Sequence, residues 1–460
     1  MRINRRQMLW MSLGTLTTAC TTRGFQGSQT ANPSTSNTLE IWWTKGLVLA
    51  EDEAIQKIVQ DWQRQQQVTV NLSFHKQDDI LQKLERSYQA GNPPDILYAY
   101  KADLALNPRF AWEGKLVDVS DILESVKSDC LPTALEAVSF YNSAIQQRRS
   151  YAIPLSQEAT YIFYNRDCLK KASLSDHDLP KSWDGFWNFW KQVQEQMNPQ
   201  PSDFYGLGIP MSSGNSDTYV FFEHVLQAYN VQLLNSQGEL QLNDPKLRQQ
   251  ISQCLEWYTQ FFKQGHVPPN AVKWLTPDNN RALLNHSIAM TVNPSMSIPV
   301  SQRENQEAYF QQLGTVNFPT KPDGTPLDPL VSVNQVVILA TSQKQEMAKT
   351  FLTHLMQPQI LNQFVKSSRG RFAPVRLTAW QDPFWTNASD PHIPILAKTL
   401  RDRPTRLFYS IQNPAYSQVF QQDVWGKVIS QIAANQITVE QGADQALQTI
   451  KEIFAKWVSS

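Results

Sequence analysis

The sequence predicts an α/β fold in a chain that is long enough for two domains with separate cores. Short apolar runs of strand length alternate with helical patterns, and this alternation indicates a parallel sheet with helices on its faces. The chain has 460 residues, which is more than one hydrophobic core ordinarily supports. Hydrophobic residues make up 41% of it and charged residues 18%, so its composition is that of a folded protein.

The early part of the chain shows the alternation. Residues 39–43 alternate like a strand, and a helix is expected from about Glu51 because apolar residues recur there at three- and four-residue spacing. Strands are expected at 68–74 and 95–100, with a helix at 80–88 between them. This order is typical of parallel strands joined by crossover helices.

The alternation continues through the rest of the chain. Short apolar runs predict strands at 162–164, 288–292 and 336–340. Capping residues mark the starts of three further helices, namely Ser182, Asp244 and Thr438. The first of these helices carries four aromatic residues on one face, which we expect to be core: Trp183, Phe186, Trp187 and Trp190.

The amino terminus predicts export. Residues 1–20 combine a basic start, a short apolar run and a small residue before Cys20. The adjacent Arg5 and Arg6 resemble a twin-arginine signal, and the residues before Cys20 resemble a bacterial lipobox whose leucine lies one place early. Residues 21–38 have no apolar periodicity, so we expect a flexible tether. The prediction is an exported protein anchored by a lipid on Cys20, with ordinary secretion as the alternative.

Charge and motif content exclude several classes of function. Lys and Arg together number 41, as do Asp and Glu, so the formal net charge is zero, whereas nucleic-acid binding needs an excess of cations. The motifs of serine hydrolases, zinc proteases and P-loop proteins do not occur in the sequence. The histidines are scattered. We therefore predict no nucleic-acid partner, no metal, no cofactor and no catalytic residue.

Five short motifs occur in order along the chain. They are GNPPDI at 91–96, YAIP at 151–154 with YIFYNRD at 161–167, PKSWD at 180–184, AMTVN at 289–293 and GRFAPV at 370–375. Together they resemble the family 1 extracellular solute-binding proteins, the group of the maltose-binding protein. The resemblance runs from about residue 38 to residue 457, which is nearly all of the chain beyond the tether.

The resemblance implies a two-lobed periplasmic-binding-protein fold with three interlobe crossings and a hinged cleft that closes on the ligand. The implied first lobe comprises 38–153 and 317–373, and the second comprises 154–316 and 374–460. The crossings are then expected near 152–157, 314–319 and 371–376.

Candidate ligand contacts follow from the chemistry of sugars. Binding a sugar takes polar partners for its hydroxyls and flat rings for its C–H faces. Trp43 ends the first strand, where α/β sheets place ligands, although Trp42 is an equal candidate. Glu158 follows a crossover where a carboxylate has little structural reason to be. We therefore expect Glu158 to bind the ligand and to contribute little to folding.

The resemblance adds further positions to this candidate site. Met296 and Asn334 stand where relatives often carry tryptophan, so two stacking walls are missing and a small ligand is favoured over a long oligosaccharide. Arg371 is a candidate partner for a hydroxyl or an anion, and Arg369 and Arg376 compete with it for that role. The other implied contacts are Tyr100, Ser156, Tyr219, Asn293 and Trp425, and Trp274, which precedes Asp278 and a short helix, is a further candidate platform.

The predicted function is that of a substrate-binding lipoprotein of an ABC importer. It would capture a sugar, a small glycoside or a polyol and deliver it unchanged to the membrane permease, acting as a monomer. A binder of glycerol phosphodiesters is one alternative. An exported enzyme acting on glycosides is another, although it would need two carboxylates facing one bond. A purely structural lipoprotein would leave a rich aromatic content unexplained, with 14 Trp and 14 Tyr.

Overall fold

The computed structural model describes residues 38–197, 203–242 and 245–458. The predicted export signal and all but the last residue of the predicted tether lie outside these residues, and so do Arg5, Arg6 and Cys20. Within the described ranges, no helix is long and apolar enough to cross a membrane.

The strands are short and distributed along the whole described chain. In chain order they are β1 Thr38–Thr44, β2 Thr69–His75, β3 Ile96–Tyr98, β4 Ser139–Asn142, β5 Gln147–Ser150, β6 Ile153–Ala159, β7 Tyr161–Asn165, β8 Tyr205–Gly208, β9 Ile288–Asn293, β10 Leu313–Val316, β11 Leu330–Ile338 and β12 Arg406–Leu407.

The α-helices lie between and after these strands. They are α1 Leu49–Gln66, α2 Gln77–Gln89, α3 Ala102–Ala105, α4 Asn107–Trp112, α5 Ser120–Glu124, α6 Pro132–Ala137, α7 Arg166–Lys171, α8 Trp183–Met197, α9 Ser216–Ala228, α10 Leu247–Lys263, α11 Asp278–Leu284, α12 Ser297–Ser301, α13 Gln345–Leu355, α14 Pro358–Ser367, α15 Pro383–Thr386, α16 Ile393–Leu400, α17 Tyr409–Gln412, α18 Ala415–Gln421, α19 Val424–Ala433 and α20 Val439–Val458.

Two sheets define the two lobes. The first lobe is built on the order β12-β11-β3-β1-β2, with β6 also paired to β11. The second lobe is built on the order β10-β7-β9-β8. In the first sheet β1 runs parallel to β2 and β3, while β11 is antiparallel to β3 and β6. The predicted α/β class is confirmed, with mixed rather than purely parallel sheets.

The chain first changes sheets at Thr160, between β6 and β7. The sequence placed this boundary between residues 153 and 154. In the structure, β6 stays paired with β11 from Ile153 to Ala159, so the first lobe extends several residues further. Backbone pairing on both sides of one register shift, opposite Asn334 and Gln335, holds the strand in the first sheet. The second change of sheet follows the end of β10 at Val316.

The last part of the chain departs from the predicted lobe assignment. Ala373 forms an antiparallel bridge with Gln157, and the chain later returns to the first sheet as β12, parallel to β11. The assignment of all of 374–460 to the second lobe is therefore wrong for this strand. Beyond it, α19 and α20 pack on α10, which belongs to the second lobe through α9 and β9.

Two predicted boundaries also differ from the structure. The strand expected at 336–340 begins at Leu330 and ends at Ile338. Its first half alternates between apolar and polar residues, and the polar residues are buried as well. The apolar run in the sequence therefore marks only the second half of the strand. The helix expected from Asp244 begins at Leu247, and Asp244 itself lies outside the described residues. By contrast, the capping box at Thr438 is confirmed, since Thr438 and Gln441 exchange side-chain to backbone hydrogen bonds.

The aromatic face of α8 forms core, as the sequence predicts. Trp183, Trp187 and Trp190 are at most 1% exposed. Trp183 and Trp187 pack on Trp257 of α10, with ring centroids 5.0 and 5.1 Å apart. Both pairs bury apolar area, and the Trp187–Trp257 pair also makes a favourable edge-to-face contact. This cluster stabilises the second lobe and has no part in the cleft.

Candidate functional site

A cleft of about 630 Å³ lies between the two lobes, a size typical of small-molecule sites. On the first-lobe side, α2 and the turn after β3 contribute Glu85, Tyr100 and Lys101. On the second-lobe side, α9 and the loop before it contribute Asn215 and Tyr219. The end of α18 and the turn after it add Phe420, Gln421 and Asp423.

A buried ion pair lies under the first-lobe wall of this cleft. Lys101 Nζ is 2.5 Å from Glu158 Oε1, and the Tyr100 hydroxyl donates to Glu158 Oε2 at 3.0 Å. The side chains of Lys101 and Glu158 are 6% and 1% exposed. Lys101 has a φ of +64° in the turn between β3 and α3, a conformation that is uncommon outside glycine. The turn therefore aims the ammonium group at β6.

The ion pair keeps Lys101 charged. Burial alone would lower the pKa of Lys101, but the Glu158 carboxylate beside it raises the pKa above its ordinary value. Burial, and then the same carboxylate, raise the pKa of Tyr100, so its hydroxyl stays protonated and donates. The prediction that Glu158 is a ligand contact with little structural role is therefore wrong on the second point, because the carboxylate compensates a buried cation.

Two further carboxyl groups are buried near the cleft. Asp103 accepts hydrogen bonds from the Ser332 hydroxyl at 2.5 Å and from the Val333 amide at 3.1 Å. Asp217 accepts one from the Asn279 amide at 3.3 Å. Burial raises the pKa of Asp103 to about 6 and that of Asp217 to about 7. Both groups take up protons within the range between weakly acidic and neutral pH.

A smaller cavity, which we call the β1 cavity, lies at the carboxyl end of β1. Its volume is about 20 Å³, room for about one water molecule. It shares Tyr100 with the cleft, and its other lining residues include Trp43, Glu51, Tyr98, Ser156, Phe364, Arg371 and Phe372.

An ion pair and stacked rings shape this cavity. Arg371 Nη1 lies 3.4 Å from Glu51 Oε2. The Arg371 guanidinium also lies over the rings of Tyr100 and Phe372, at 5.0 and 4.5 Å from their centroids. Cation–π contacts of this kind hold a guanidinium in one orientation.

The structure brings several predicted site residues together. Trp43, Tyr100, Ser156 and Arg371 line the β1 cavity, and Tyr100 and Tyr219 line the cleft. Asn334 supports the first group, because its amide donates to the Ser156 hydroxyl at 3.0 Å. Sequence alternation left Trp42 and Trp43 equivalent. Trp43 borders the β1 cavity, whereas the Trp42 ring lies 4.6 Å from that of His75.

Trp425 does not line the cleft, although the sequence placed it there. Its side chain is 0% exposed, and its indole N–H donates to Glu223 Oε1 at 3.1 Å. Tyr416 donates to the same carboxylate at 2.6 Å. Both rings form the core between α9, α18 and α19, where Glu223 satisfies their polar atoms.

Three other predicted contacts also lie away from the cleft. Asn293 is buried and donates to Asn280 Oδ1 at 2.6 Å while accepting from Ser297 at 3.1 Å, so its amide organises the turn after β9. Met296 is 1% exposed and belongs to the core. Trp274 borders a separate surface pocket of the second lobe, beside Lys273, Asp278 and Arg281.

The sequence prediction missed several residues of these two cavities. Glu51 was interpreted only as the start of a helix, and Lys101 was not considered. Lys101 directly follows the predicted contact Tyr100 at the end of a buried strand, which is a signal that sequence reasoning could have used. Phe420, Gln421 and Asp423 reach the cleft only through the packing of α18, so no local pattern marks them. Among the described residues, no cluster of histidine, cysteine or acidic side chains could hold a metal ion.

Two α/β lobes with a polar and aromatic cleft between them define a ligand-capturing binding protein. Residues 57–395 match the family described as bacterial extracellular solute-binding protein, and the chain belongs to that family. This confirms the relationship that the five motifs predict.

Individual relatives are distant. A protein of Brucella abortus (strain 2308) named as a binding protein is 20% identical over 70% of this chain and 72% of its own length. A solute-binding protein from Thermotoga lettingae, solved with α-D-tagatose, superposes with a TM-score of 0.74 at 20% identity, covering 90% of this chain and 99% of that one. UgpB from Mycobacterium tuberculosis, in complex with glycerophosphocholine, superposes with a TM-score of 0.69 at 17% identity, covering 92% of this chain and 99% of that one. These superpositions show the two-lobed fold.

Proposed function

We propose that this protein captures a neutral sugar, a small glycoside or a polyol in the interlobe cleft and delivers it to the permease of an ABC importer. The proposed ligand class rests on one observation about the residues that line the cleft. Uncharged hydrogen-bonding side chains and aromatic rings dominate both walls of the cleft, while its cation Lys101 is already paired with Glu158. The uncharged polar side chains are Gln77, Gln82, Asn215, Ser216, Thr276 and Gln421.

Relatives support this ligand class. The Thermotoga lettingae protein, whose fold resembles that of this chain, was solved with α-D-tagatose, a ketohexose. Hydroxyl groups suit amide and hydroxyl partners, and the rings of Tyr219 and Phe420 suit the apolar face of a sugar.

A glycerol phosphodiester is the second candidate ligand. Lys101 lines the cleft and would supply a cation for a phosphate group, and UgpB from Mycobacterium tuberculosis is described with glycerophosphocholine. The acidic side chains of Glu85 and Asp423 on the same cleft weigh against an anionic ligand.

A thermal-shift panel tests the ligand class. The purified protein is heated with D-tagatose, maltose, D-glucose or glycerophosphocholine, and a compound present at a hundred times its Kd should add about 2.7 kcal/mol of stability. Stabilisation by a neutral sugar supports the proposal. Stabilisation by glycerophosphocholine alone would replace it with the second candidate.

A binding protein should return its ligand unchanged. Mass spectrometry of the compound recovered after long incubation with the protein should show the starting mass. Steady cleavage of a glycoside, abolished by substitution of a carboxylate in the cleft, would instead make the protein an enzyme.

We also propose that the protein is exported to the periplasm or cell surface and anchored by a lipid on Cys20. The family is extracellular by its description, and the anchor rests on the sequence of residues 1–20. Replacing Cys20 with alanine should move the protein from the membrane fraction to the soluble fraction. A variant that still sediments with membranes after a salt wash would contradict the anchor.

A further inference from the structure

An aromatic wall of the cleft is built from one ring on each of two helices. Tyr219 of α9 and Phe420 of α18 both line the cleft, and their ring centroids lie 4.8 Å apart in an edge-to-face arrangement. Phe420 is half-buried, so its ring presents apolar surface to the cleft. A sugar that packs on this wall therefore depends on where α18 holds Phe420.

A second contact joins the same two helices one turn away from the ring pair. Glu223 follows Tyr219 by four residues on α9, and Tyr416 precedes Phe420 by four residues on α18, so each pair shares one face of its helix. The Tyr416 hydroxyl donates to Glu223 Oε1 at 2.6 Å. Both side chains are buried, at 4% and 2% exposed. The ring pair and the carboxylate–hydroxyl pair thus connect α9 and α18 at two successive turns.

The contact with Glu223 matters for the position of α18. Its 2.6 Å length is typical of a hydroxyl that donates to a carboxylate, which is a strong class of hydrogen bond. The helix spans only Ala415–Gln421, and a helix of that length has little stability of its own. Other parts of α18 pack on α3 and α20, while Glu223 holds the face that carries Phe420.

We infer that Glu223 is a positioning residue for ligand binding, acting through Tyr416 on the ring of Phe420. It fixes that ring against Tyr219 and so places the aromatic wall on which the apolar face of a sugar packs. This inference rests on the proposed function, which supplies the ligand, and extends it by naming the buried group that sets the geometry of the wall.

Tyr416→Phe is the sharpest variant, because substituting Glu223 itself would leave the donors of both Tyr416 and Trp425 unpaired. The variant removes only the hydroxyl that meets Glu223 and keeps both rings of the wall. Calorimetric titration uses whichever of D-tagatose, maltose and D-glucose stabilises the wild-type protein most. Affinity should fall by about three- to tenfold, in line with the loss of one buried hydrogen bond.

The matched control is Tyr309→Phe, which removes another hydroxyl that donates to a buried carboxylate, Asp390 Oδ2, at 2.8 Å. This variant should leave the affinity for the same sugar unchanged. Equal losses of affinity in the two variants would mean that a general loss of stability weakens binding, and would overturn the inference.

A double variant tests whether the effect passes through Phe420. In a Phe420→Ala background, adding Tyr416→Phe should cost no further affinity, although its loss of stability in urea should persist. If the hydroxyl has a structural role alone, Tyr416→Phe will weaken binding by the same factor in both backgrounds, and the inference fails.

A crystallographic test needs no bound sugar. In crystals of ligand-free Tyr416→Phe, the Phe420 ring should move away from Tyr219 and lose the edge-to-face contact, whereas Tyr309→Phe should keep it. An unchanged ring pair in Tyr416→Phe would overturn the inference.

These tests separate failure of the inference from failure of the proposed function. If no sugar of the thermal-shift panel stabilises the protein, the proposed sugar function fails, and the ligand-free crystals still decide whether Glu223 places the ring pair. If a sugar binds and Tyr416→Phe binds it with wild-type affinity, the inference fails and the proposed function stands.

Discussion

At the scale of single residues, Glu158 shows how burial changes the interpretation of a carboxylate. Its position after a crossover suggested a ligand contact, and its neighbours in space are Lys101 and Tyr100. Lys101 lies 57 positions away in the chain, so no local pattern reports the pairing. The carboxylate is therefore part of the folded core of the first lobe.

We expect Glu158→Ala to destabilise the protein by about 3–5 kcal/mol, because it leaves the buried Lys101 ammonium without a counter-charge. Urea denaturation of the variant and the wild type measures the difference. The double variant Glu158→Leu with Lys101→Met is the control and should recover much of the loss, since it removes both charges together. An unchanged midpoint for Glu158→Ala would restore the original expectation of a binding role alone.

The buried carboxyl of Asp217 predicts a pH effect on stability. Its pKa is raised by burial to about 7, so the folded state binds more protons than the unfolded state between about pH 4 and 7. Stability from this group therefore falls as pH rises through that window. Asp217→Asn should gain at least about 1 kcal/mol relative to wild type between pH 4 and pH 7, since one pKa unit is about 1.4 kcal/mol.

Denaturation at a series of pH values tests this effect. Asp323→Asn is the control, because hydrogen bonds from Thr325 hold the pKa of Asp323 at about 2, below the window. An Asp217→Asn profile that parallels wild type from pH 4 to 7 would show that Asp217 is ionised throughout.

At the scale of elements, the capping box that begins α20 is the feature that the sequence determines best. The Thr438 capping box needs only residues three apart, and both of its hydrogen bonds are present, at 2.9 and 3.2 Å. The start of β11 was missed because its early polar residues are buried by contacts with β6 and α3. Strand limits depend on the neighbouring strand, whereas helix caps depend on the chain itself.

We expect Thr438→Ala to cost about 1 kcal/mol of stability, because it leaves a helix amide of α20 without its acceptor. Chemical denaturation measures the loss. Thr449→Ala is the matched control, since the Thr449 hydroxyl bonds only to a carbonyl within the helix, and it should be neutral. Equal effects from both variants would mean that the cap contributes nothing specific.

At the scale of the whole molecule, the cleft couples the two lobes. Gln421, at the end of α18, donates to Glu85 of α2 at 3.2 Å, and Glu85 also pairs with Arg109 at 2.8 Å. This contact joins two walls of the cleft beside the ligand space. Hinge closure would strengthen such contacts when a ligand touches both lobes.

Small-angle scattering should therefore show a smaller radius of gyration when a panel compound that stabilises the protein is added. Closure brings the lobes together and only the closed state makes all ligand contacts. A panel compound that gives no stabilisation is the control and should leave the scattering unchanged. Tight binding with no contraction would mean that the cleft is already formed and does not close.

The sequence by itself determined the α/β class, the Thr438 capping box, the aromatic core face of α8 and the family relationship. Each of these features depends on residues that are a few positions apart in the chain, where backbone geometry and side-chain periodicity act directly. Only the tertiary structure decided the site. Glu51 and Arg371 are 320 positions apart, and Trp425 and Asn293 become core rather than cleft because of what packs against them. Burial and charge pairing depend on neighbours in space, and a single sequence does not record which neighbours those are.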